Sequence, residues 1–197
     1  MAGTIFYVMG KSASGKDTIF KELVQRLEQL KTVRMYTTRP IRSGEQDGVE
    51  YYFADEAFLS RCQKEGKLVE CRTYQTVCGP WSYFTVDDGQ IDLSEGDYLM
   101  IGTLESYEKT REYYGKENVE PLYIWVEDGL RLLRALERER SQQKPNYEEL
   151  CRRFLADARD FSEENLRRCG IGQRYENQDL EKCLEKICQV IKNKCKK

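Results

Sequence analysis

Gly10-Lys11-Ser12-Ala13-Ser14-Gly15-Lys16-Asp17-Thr18 is the stretch whose reading decides the fold. A glycine, four residues and a Gly-Lys pair allow successive backbone N–H groups to turn inward on an anion while the lysine reaches its outer charges. The residues on either side supply the context. Thr4 to Met9 is a β-branched and aromatic run, and Asp17 to Leu30 places Ile19, Phe20, Leu23, Leu27 and Leu30 at helical spacing. Strand, glycine-rich turn and helix in that order aim the positive end of a helix at the bound anion. A glycine turn with a surface lysine would satisfy the bare pattern, but the flanking strand and helix favour a phosphate cradle, a P-loop. One position departs from that pattern. The residue after the lysine usually offers Mg²⁺ a hydroxyl; here it is Asp17, with Thr18 following. An aspartate in the first helical turn suits the helix dipole but repels phosphate unless a cation lies between them. Asp17 and Thr18 are therefore the candidate Mg²⁺ contacts.

Further apolar strands are expected at Thr32 to Tyr36, Tyr98 to Ile101 and Leu122 to Val126, the last followed by an arginine-rich helix from Leu130 to Arg140. Strands alternating with helices imply a parallel sheet covered on both faces. From Val49 to Tyr83 the pattern changes to near-alternating aromatic segments punctuated by Gly48, Gly66, Gly79 and Pro80, which predicts a small, partly antiparallel insertion. Helical periodicity returns from Tyr147 to Leu166. Arg174 to Asn177 reads as a short last strand before a helix with Leu180, Leu184, Ile187 and Ile191 on one face. The lysine-rich end, Lys192 to Lys197, reads as a solvated tail.

A chain of 197 residues with 32 basic and 34 acidic side chains has a formal net charge of −2. That gives no global attraction to nucleic acid or to an acidic membrane, so anion binding has to be local. No apolar stretch approaches the roughly 20 residues of a membrane span, and the N-terminus has no basic segment leading into a long apolar one, so a cytoplasmic protein is expected. The eight cysteines (62, 71, 78, 151, 169, 183, 188 and 195) include no C-x-x-C pair and read as reduced thiols. The absence of histidine excludes imidazole bases, triads and metal sites and favours chemistry done by positioning and electrostatics.

Downstream of the cradle stands Thr37-Thr38-Arg39-Pro40-Ile41-Arg42-Ser43-Gly44-Glu45-Gln46-Asp47-Gly48-Val49-Glu50-Tyr51-Tyr52-Phe53. Here the chain resembles guanylate kinase, a P-loop nucleoside monophosphate kinase family. The likeness continues through Leu68-Val69-Glu70, the arginine-rich helix, Cys151-Arg152-Arg153-Phe154 and Tyr175-Glu176-Asn177-Gln178-Asp179-Leu180. The resemblance implies one guanylate kinase-like domain over 1–197. Its core would comprise 1–36, 97–130 and 155–197, its monophosphate-binding insertion 37–96 and its helical lid 131–154. It implies that Arg39 and Arg42 grip the acceptor's phosphate, where planar guanidinium groups give bidentate bonds that lysine cannot match, and that Tyr51 adds a phenolic donor. Glu70 would read guanine, whose adjacent N1 and N2 donors suit a carboxylate, whereas adenine offers a bare N1 acceptor. Three positions depart from the family. Cys78-Gly79 replaces a tyrosine-glycine pair, with Tyr74 a candidate to compensate. Pro80 replaces a base-contacting serine. An Asp pair is missing from Leu99-Met100-Ile101-Gly102-Thr103-Leu104-Glu105, where Thr103 or Glu105 would stand in.

Arg131, Arg134 and Arg138 recur at i, i+3 and i+7 and so share a helical face. The family register implies that Arg134, Arg138 and Arg153 act with Lys16 at the reacting centre, with the register open to a slip of one turn. Asn177 would lie near the adenine or cap the helix that begins at Asp179. The implied reaction is ATP-dependent phosphorylation of a nucleoside monophosphate with Mg²⁺, GMP or dGMP being the expected acceptor. The implied protein is a monomer or weak homodimer with no nucleic-acid or membrane partner. A different nucleotide acceptor and a catalytically inactive protein-binding module are the alternatives.

Overall fold

The computed structural model describes residues 2–42, 44–76 and 79–195. In chain order the elements are β1 (Ile5–Met9), α1 (Lys16–Arg26), β2 (Lys31–Thr32), β3 (Tyr36–Thr37), β4 (Tyr52–Phe53), α2 (Glu56–Lys64), β5 (Leu68–Thr76) and β6 (Gly79–Val86). They continue with β7 (Tyr98–Gly102), α3 (Leu104–Tyr114), β8 (Val119–Trp125), α4 (Asp128–Arg140), α5 (Tyr147–Asp160), α6 (Glu163–Arg168), β9 (Tyr175–Glu176) and α7 (Leu180–Cys195).

The two-residue period of a strand divides β1 between two cores. Ile5, Tyr7 and Met9 join Leu104 and Tyr107 of α3 and Leu166 of α6 on one face. Phe6 and Val8 join Ile19 and Leu23 of α1 and Leu184, Ile187 and Ile191 of α7 on the other. A strand buried on both faces belongs in the middle of a parallel sheet. The order is β2-β7-β1-β8-β9, with every pairing parallel. Each of the three aliphatic side chains that α7 buries contributes about 1.5–3 kcal/mol, so the C-terminal helix is a structural element of the core. The expected α/β fold with helices on both faces is observed.

A second sheet, β4-β3-β6-β5, pairs β3 with β4 in parallel and β6 antiparallel to both β3 and β5. It forms the expected partly antiparallel insertion. One face packs Phe84 and Val86 against Leu59 and Cys62 of α2. The opposite face, carrying Thr37, Tyr83 and Thr85, is turned the other way.

Several local expectations need correction. The first helix ends at Arg26 instead of Leu30, because Leu27 leaves helical geometry and the chain turns back to bury Leu30. Thr32 to Tyr36 is not one strand: only Lys31–Thr32 pairs with β7. The Gln90 side chain then bonds both the N–H and C=O of Arg34, and Tyr36 enters the second sheet. The Tyr147 to Leu166 helix is two helices, broken at Phe161, which stacks on Tyr123, and restarted by the Ser162 cap. Lys192 and Lys194 occupy the last turn of α7 instead of a tail, while Lys196 and Lys197 lie outside the described residues, as do Ser43 and Cys78. The seven described cysteines are free thiols. No described helix is long and apolar enough to cross a membrane.

Candidate active site

The carboxyl ends of the parallel strands converge on one edge, where open α/β sheets bind ligands. Between β1 and α1 the loop Gly10 to Gly15 folds as a cradle. Ala13 has φ 61° and Gly15 φ 83°, the left-handed region in which successive N–H groups form a concavity. A Cβ on Gly15 would lie 2.4 Å from Asn177 Nδ2, so only glycine fits there. Asn177 is buried and donates from that nitrogen to Ser14 O at 2.8 Å. It therefore braces the loop from the end of β9, and the capping role at α7 falls to Asp179, which accepts from Lys182 N. Lys11 pairs with Asp128 at 3.2 Å, and Lys16 Nζ lies 3.2 Å from the exposed Asp17 carboxylate.

On the insertion side, Arg39 is 3% exposed and lies against both Tyr51 and Phe53, each ring centroid 5.5 Å from its guanidinium carbon. Glu45 accepts from both terminal nitrogens at 2.8 and 2.9 Å and from Arg42 N at 2.8 Å. The Arg39 bonds, ahead of the Arg42 amide, hold the Glu45 carboxyl down to about 2. Arg39 Nε is buried with no hydrogen-bond partner. The exposed Arg42 guanidinium has neither a hydrogen bond nor an ion pair among the described residues.

Glu70 reaches the cleft because of an irregularity in β5. Leu68 pairs with Val86 and Glu70 with Thr85, the register shifting between them. Period-two alternation alone would put Glu70 on the α2 face with Leu68; the bulge turns it to the opposite face. Glu70 is 3% exposed and already bonded. Arg72 Nε donates to Oε2 at 2.9 Å and Arg72 Nη2 to Oε1 at 3.4 Å, and Thr85 Oγ1 donates to Oε1 at 3.0 Å. Burial raises the Glu70 carboxyl and Arg72 opposes it. Arg72 Nη1 also donates to Thr103 Oγ1 at 3.1 Å, and Thr103 with Ser106 forms the capping box of α3. Ser106 accepts from Tyr7 in β1 at 2.7 Å, so one buried polar chain docks the insertion on the central sheet. Thr103 is thus a cap and an anchor, while Glu105 sits exposed in the first turn of α3.

The arginine-rich helix α4 divides its arginines unequally. Arg131 is 1% exposed, bonding Ser12 O at 3.2 Å and Asp157 at 3.0 Å, with its guanidinium carbon 4.2 Å from the centroid of the Phe154 ring. Asp157 in turn accepts from Ser12 N at 2.8 Å, so α4 and α5 are fastened to the cradle. Arg134 and Arg138 line a cleft of about 410 Å³ with Gly15, Asp17, Thr18 and Asn177. Arg138 and Arg153 also border a recess of about 180 Å³ between α4 and α5. Arg153 is exposed and bonds Glu149 at 2.9 Å.

Asp17, beside the cradle, lies within electrostatic reach of Tyr51 on the insertion: the Tyr51 phenol is raised first by burial and then by Tyr83, and the Asp17 carboxylate adds to this. On the far side, the Arg152 guanidinium, raised chiefly by Glu149, also feels Tyr74 at the tip of β5. No group of three or more acidic or cysteine side chains that could hold a metal occurs among the described residues. Asp17 and Thr18, lining the same cleft as Arg134 and Arg138, nevertheless suit Mg²⁺, which takes one or two protein oxygens and completes its shell with water and phosphate.

Arg72, Thr85, Glu45, Tyr83 and Asp157 were not anticipated as site residues. Arg72 had one usable signal, its two-residue separation from Glu70 on a strand.

Comparison with known proteins shows what one part of the chain is similar to. Residues 3–80 match the guanylate kinase family model. That stretch contains the cradle, Arg39, Arg42, Tyr51 and Glu70. Guanylate kinase from Coxiella burnetii is 38% identical over 69 residues, covering 35% of this chain and 34% of the relative. Guanylate kinase from Thermobifida fusca is 48% identical over 61 residues, covering 31% of each. The chain thus spans about a third of the length of the curated guanylate kinases it matches. The crystal structure of guanylate kinase from Anaplasma phagocytophilum superposes with a TM-score of 0.64 at 22% identity, covering all of this chain and 88% of that one. At that identity the likeness extends the shared fold, and only the fold, over α4, α5 and the C-terminal elements.

Proposed function

We propose that this chain transfers the terminal phosphoryl group of ATP to a nucleoside monophosphate, GMP or dGMP being the acceptor. The observation that supports the reading is the electrostatic reach between Asp17, beside the cradle, and Tyr51 of the insertion; in-line transfer between two bound nucleotides requires the cradle and the Arg39–Tyr51 site to face each other. The catalytic unit is the single domain 1–197, with core 1–36, 97–130 and 155–197, acceptor insertion 37–96 and lid 131–154.

In this reading the amides of residues 10–15 and Lys16 bind the ATP phosphates, and Asn177 keeps the loop in its binding shape. Arg134 and Arg138 neutralise charge on the transferring group, joined by Arg153 as α5 closes. Arg39, Arg42 and Tyr51 hold the acceptor phosphate, with Glu45 giving up part of its hold on Arg39. Mg²⁺, contributed through Asp17 and Thr18, would offset the negative charge of the phosphates. In this reading the protein serves purine nucleotide metabolism in the cytoplasm.

A second acceptor is favoured by one feature. Arg72 occupies the carboxylate that would otherwise accept from guanine N1 and N2, so the base site carries a donor beside its acceptor. A coupled ADP-release assay over GMP, dGMP, IMP, AMP, CMP and UMP tests both readings. ADP release that requires GMP or dGMP is expected. Release that requires another monophosphate overturns the guanine assignment, and release indifferent to any acceptor overturns the kinase.

A further inference from the structure

The sequence leaves the acceptor site short of one phenol, because Cys78 stands where a second phosphate-binding tyrosine is expected and lies outside the described residues. We propose that Tyr83 supplies the missing hydroxyl, donating to the acceptor's phosphate monoester beside Tyr51; the inference rests on the proposed kinase reading.

The placement follows from register. In β6, Tyr83 pairs with Thr37 of β3 and Arg72 of β5, and paired residues share a face, so Tyr83 stands with Arg72 on the side away from α2. Its ring meets Tyr51 edge to face at 5.7 Å, and Tyr51 covers one side of the Arg39 guanidinium at 5.5 Å. The Tyr83 phenol also acts on Arg39, which is held charged first by Glu45. Among the described residues the Tyr83 hydroxyl donates to no protein acceptor, unlike Tyr36, whose hydroxyl is taken by Asp88 at 2.6 Å.

The orphaned donor beside it is the second observation. Arg39 is nearly fully buried, its terminal nitrogens bond Glu45, and its Nε has no hydrogen-bond partner among the described residues. A buried N–H without an acceptor is costly and marks a place where a ligand oxygen completes the bonding. A tetrahedral phosphate resting against Nε can accept from Tyr51 and Tyr83 with its other oxygens and from Arg42 at the rim. Tyr74, suggested by the sequence as the substitute, is set further out. It is exposed and touches Tyr83 at 5.9 Å, without a ring contact to Tyr51.

The test compares binding of GMP, AMP and UMP, each against its parent nucleoside, by titration calorimetry on the full chain and on Tyr83→Phe and Tyr74→Phe. Losing one charge-assisted bond weakens an affinity by roughly tenfold or more. Tyr83→Phe should therefore weaken the bound monophosphate by at least about tenfold and leave its nucleoside unchanged, since only the phosphate is contacted. Tyr74→Phe should stay within about twofold for both. The retained ring keeps its edge-to-face packing, so the melting temperature should hold. If the full chain binds a monophosphate and Tyr83→Phe binds it equally well, or loses nucleoside and nucleotide affinity together, the assignment of Tyr83 fails and the kinase reading survives. If the full chain binds no monophosphate, the acceptor site itself is overturned and Tyr83 with it.

Discussion

Replacing Arg72 with methionine isolates the buried pair that joins the insertion to the central sheet. The side chains of Glu70 and Arg72 are 1% and 8% exposed and share two N–H···O contacts, at 2.9 and 3.4 Å. Methionine keeps most of the volume and removes the charge, leaving a desolvated carboxylate with Thr85 as its remaining donor. Breaking one side of a buried ion pair costs about 3–5 kcal/mol, and the lost Thr103 bond adds to it. For a chain of this size each kcal/mol lowers Tm by about 2–4 °C, so a fall of roughly 6–20 °C is expected by calorimetry at pH 8. The sign of the pH dependence follows from burial, which already raises the Glu70 carboxyl above its ordinary value and would raise it further without Arg72. A group whose folded pKa exceeds its unfolded one favours folding at low pH and costs stability as pH rises through the folded value. The deficit of Arg72→Met should therefore shrink between pH 8 and pH 5, and adding Glu70→Leu should recover most of it. A fall of less than about 2 °C, or one independent of pH, would refute the pair as the anchor of the insertion.

Lys16→Ala should reduce turnover by roughly 10²- to 10³-fold or more, as loss of one preorganised charge at a transferring phosphoryl group does, while Tm stays near the wild-type value because, among the described residues, Lys16 pairs only with an exposed Asp17. Asp17→Asn should shift the Mg²⁺ concentration for half-maximal activity upward, and an unchanged Mg²⁺ titration would reduce Asp17 to a helix-start residue. Glu45 is held at about 2, below its ordinary 4.5. Its contribution is thus present above pH 4.5 and is lost as pH falls toward 2. The Tm gap between wild type and Glu45→Gln should be widest near pH 6, narrow below pH 4.5 and close only as pH approaches 2, and a constant gap would show that Arg39 does not depend on the Glu45 charge.

What could be read from sequence was whatever local periodicity encodes. Thr4 to Met9 and the helix after Lys16 announce themselves because a two-residue period gives way to a 3.6-residue one across a glycine loop. The role of Glu45 was illegible, and that of Arg72 marked only by its spacing from Glu70, for the opposite reason. Their partners are chosen by tertiary contact, and the bulge that turns Glu70 toward the cleft has no marker in Leu68-Val69-Glu70. The helices α2 and α3 were missed because their buried faces include Cys62 in α2 and the polar Ser106 and Thr110 in α3, which leave little apolar periodicity to read. In α3 the capping pair Thr103 and Ser106 follows β7 directly, so the strand's apolar run hid the helix start. Thr32 to Tyr36 misled because a β-branched run says nothing about changing sheets midway, which here depends on the Gln90 side chain. Asn177 is expected from sequence near the adenine or as the cap of α7, whereas its bond to Ser14 O depends on where β9 lies beside β8.

The most direct test of facing anion sites is the affinity of a bisubstrate ligand in which adenosine and guanosine are joined through five phosphates. If the cradle and the Arg39 site lie within in-line reach, linking makes the second contact intramolecular, and such ligands gain on the order of 10²-fold or more over the tighter half. The expected result is that gain over ATP and over GMP, lost in both Lys16→Ala and Arg39→Ala. Binding no tighter than ATP alone, insensitive to Arg39→Ala, would contradict it.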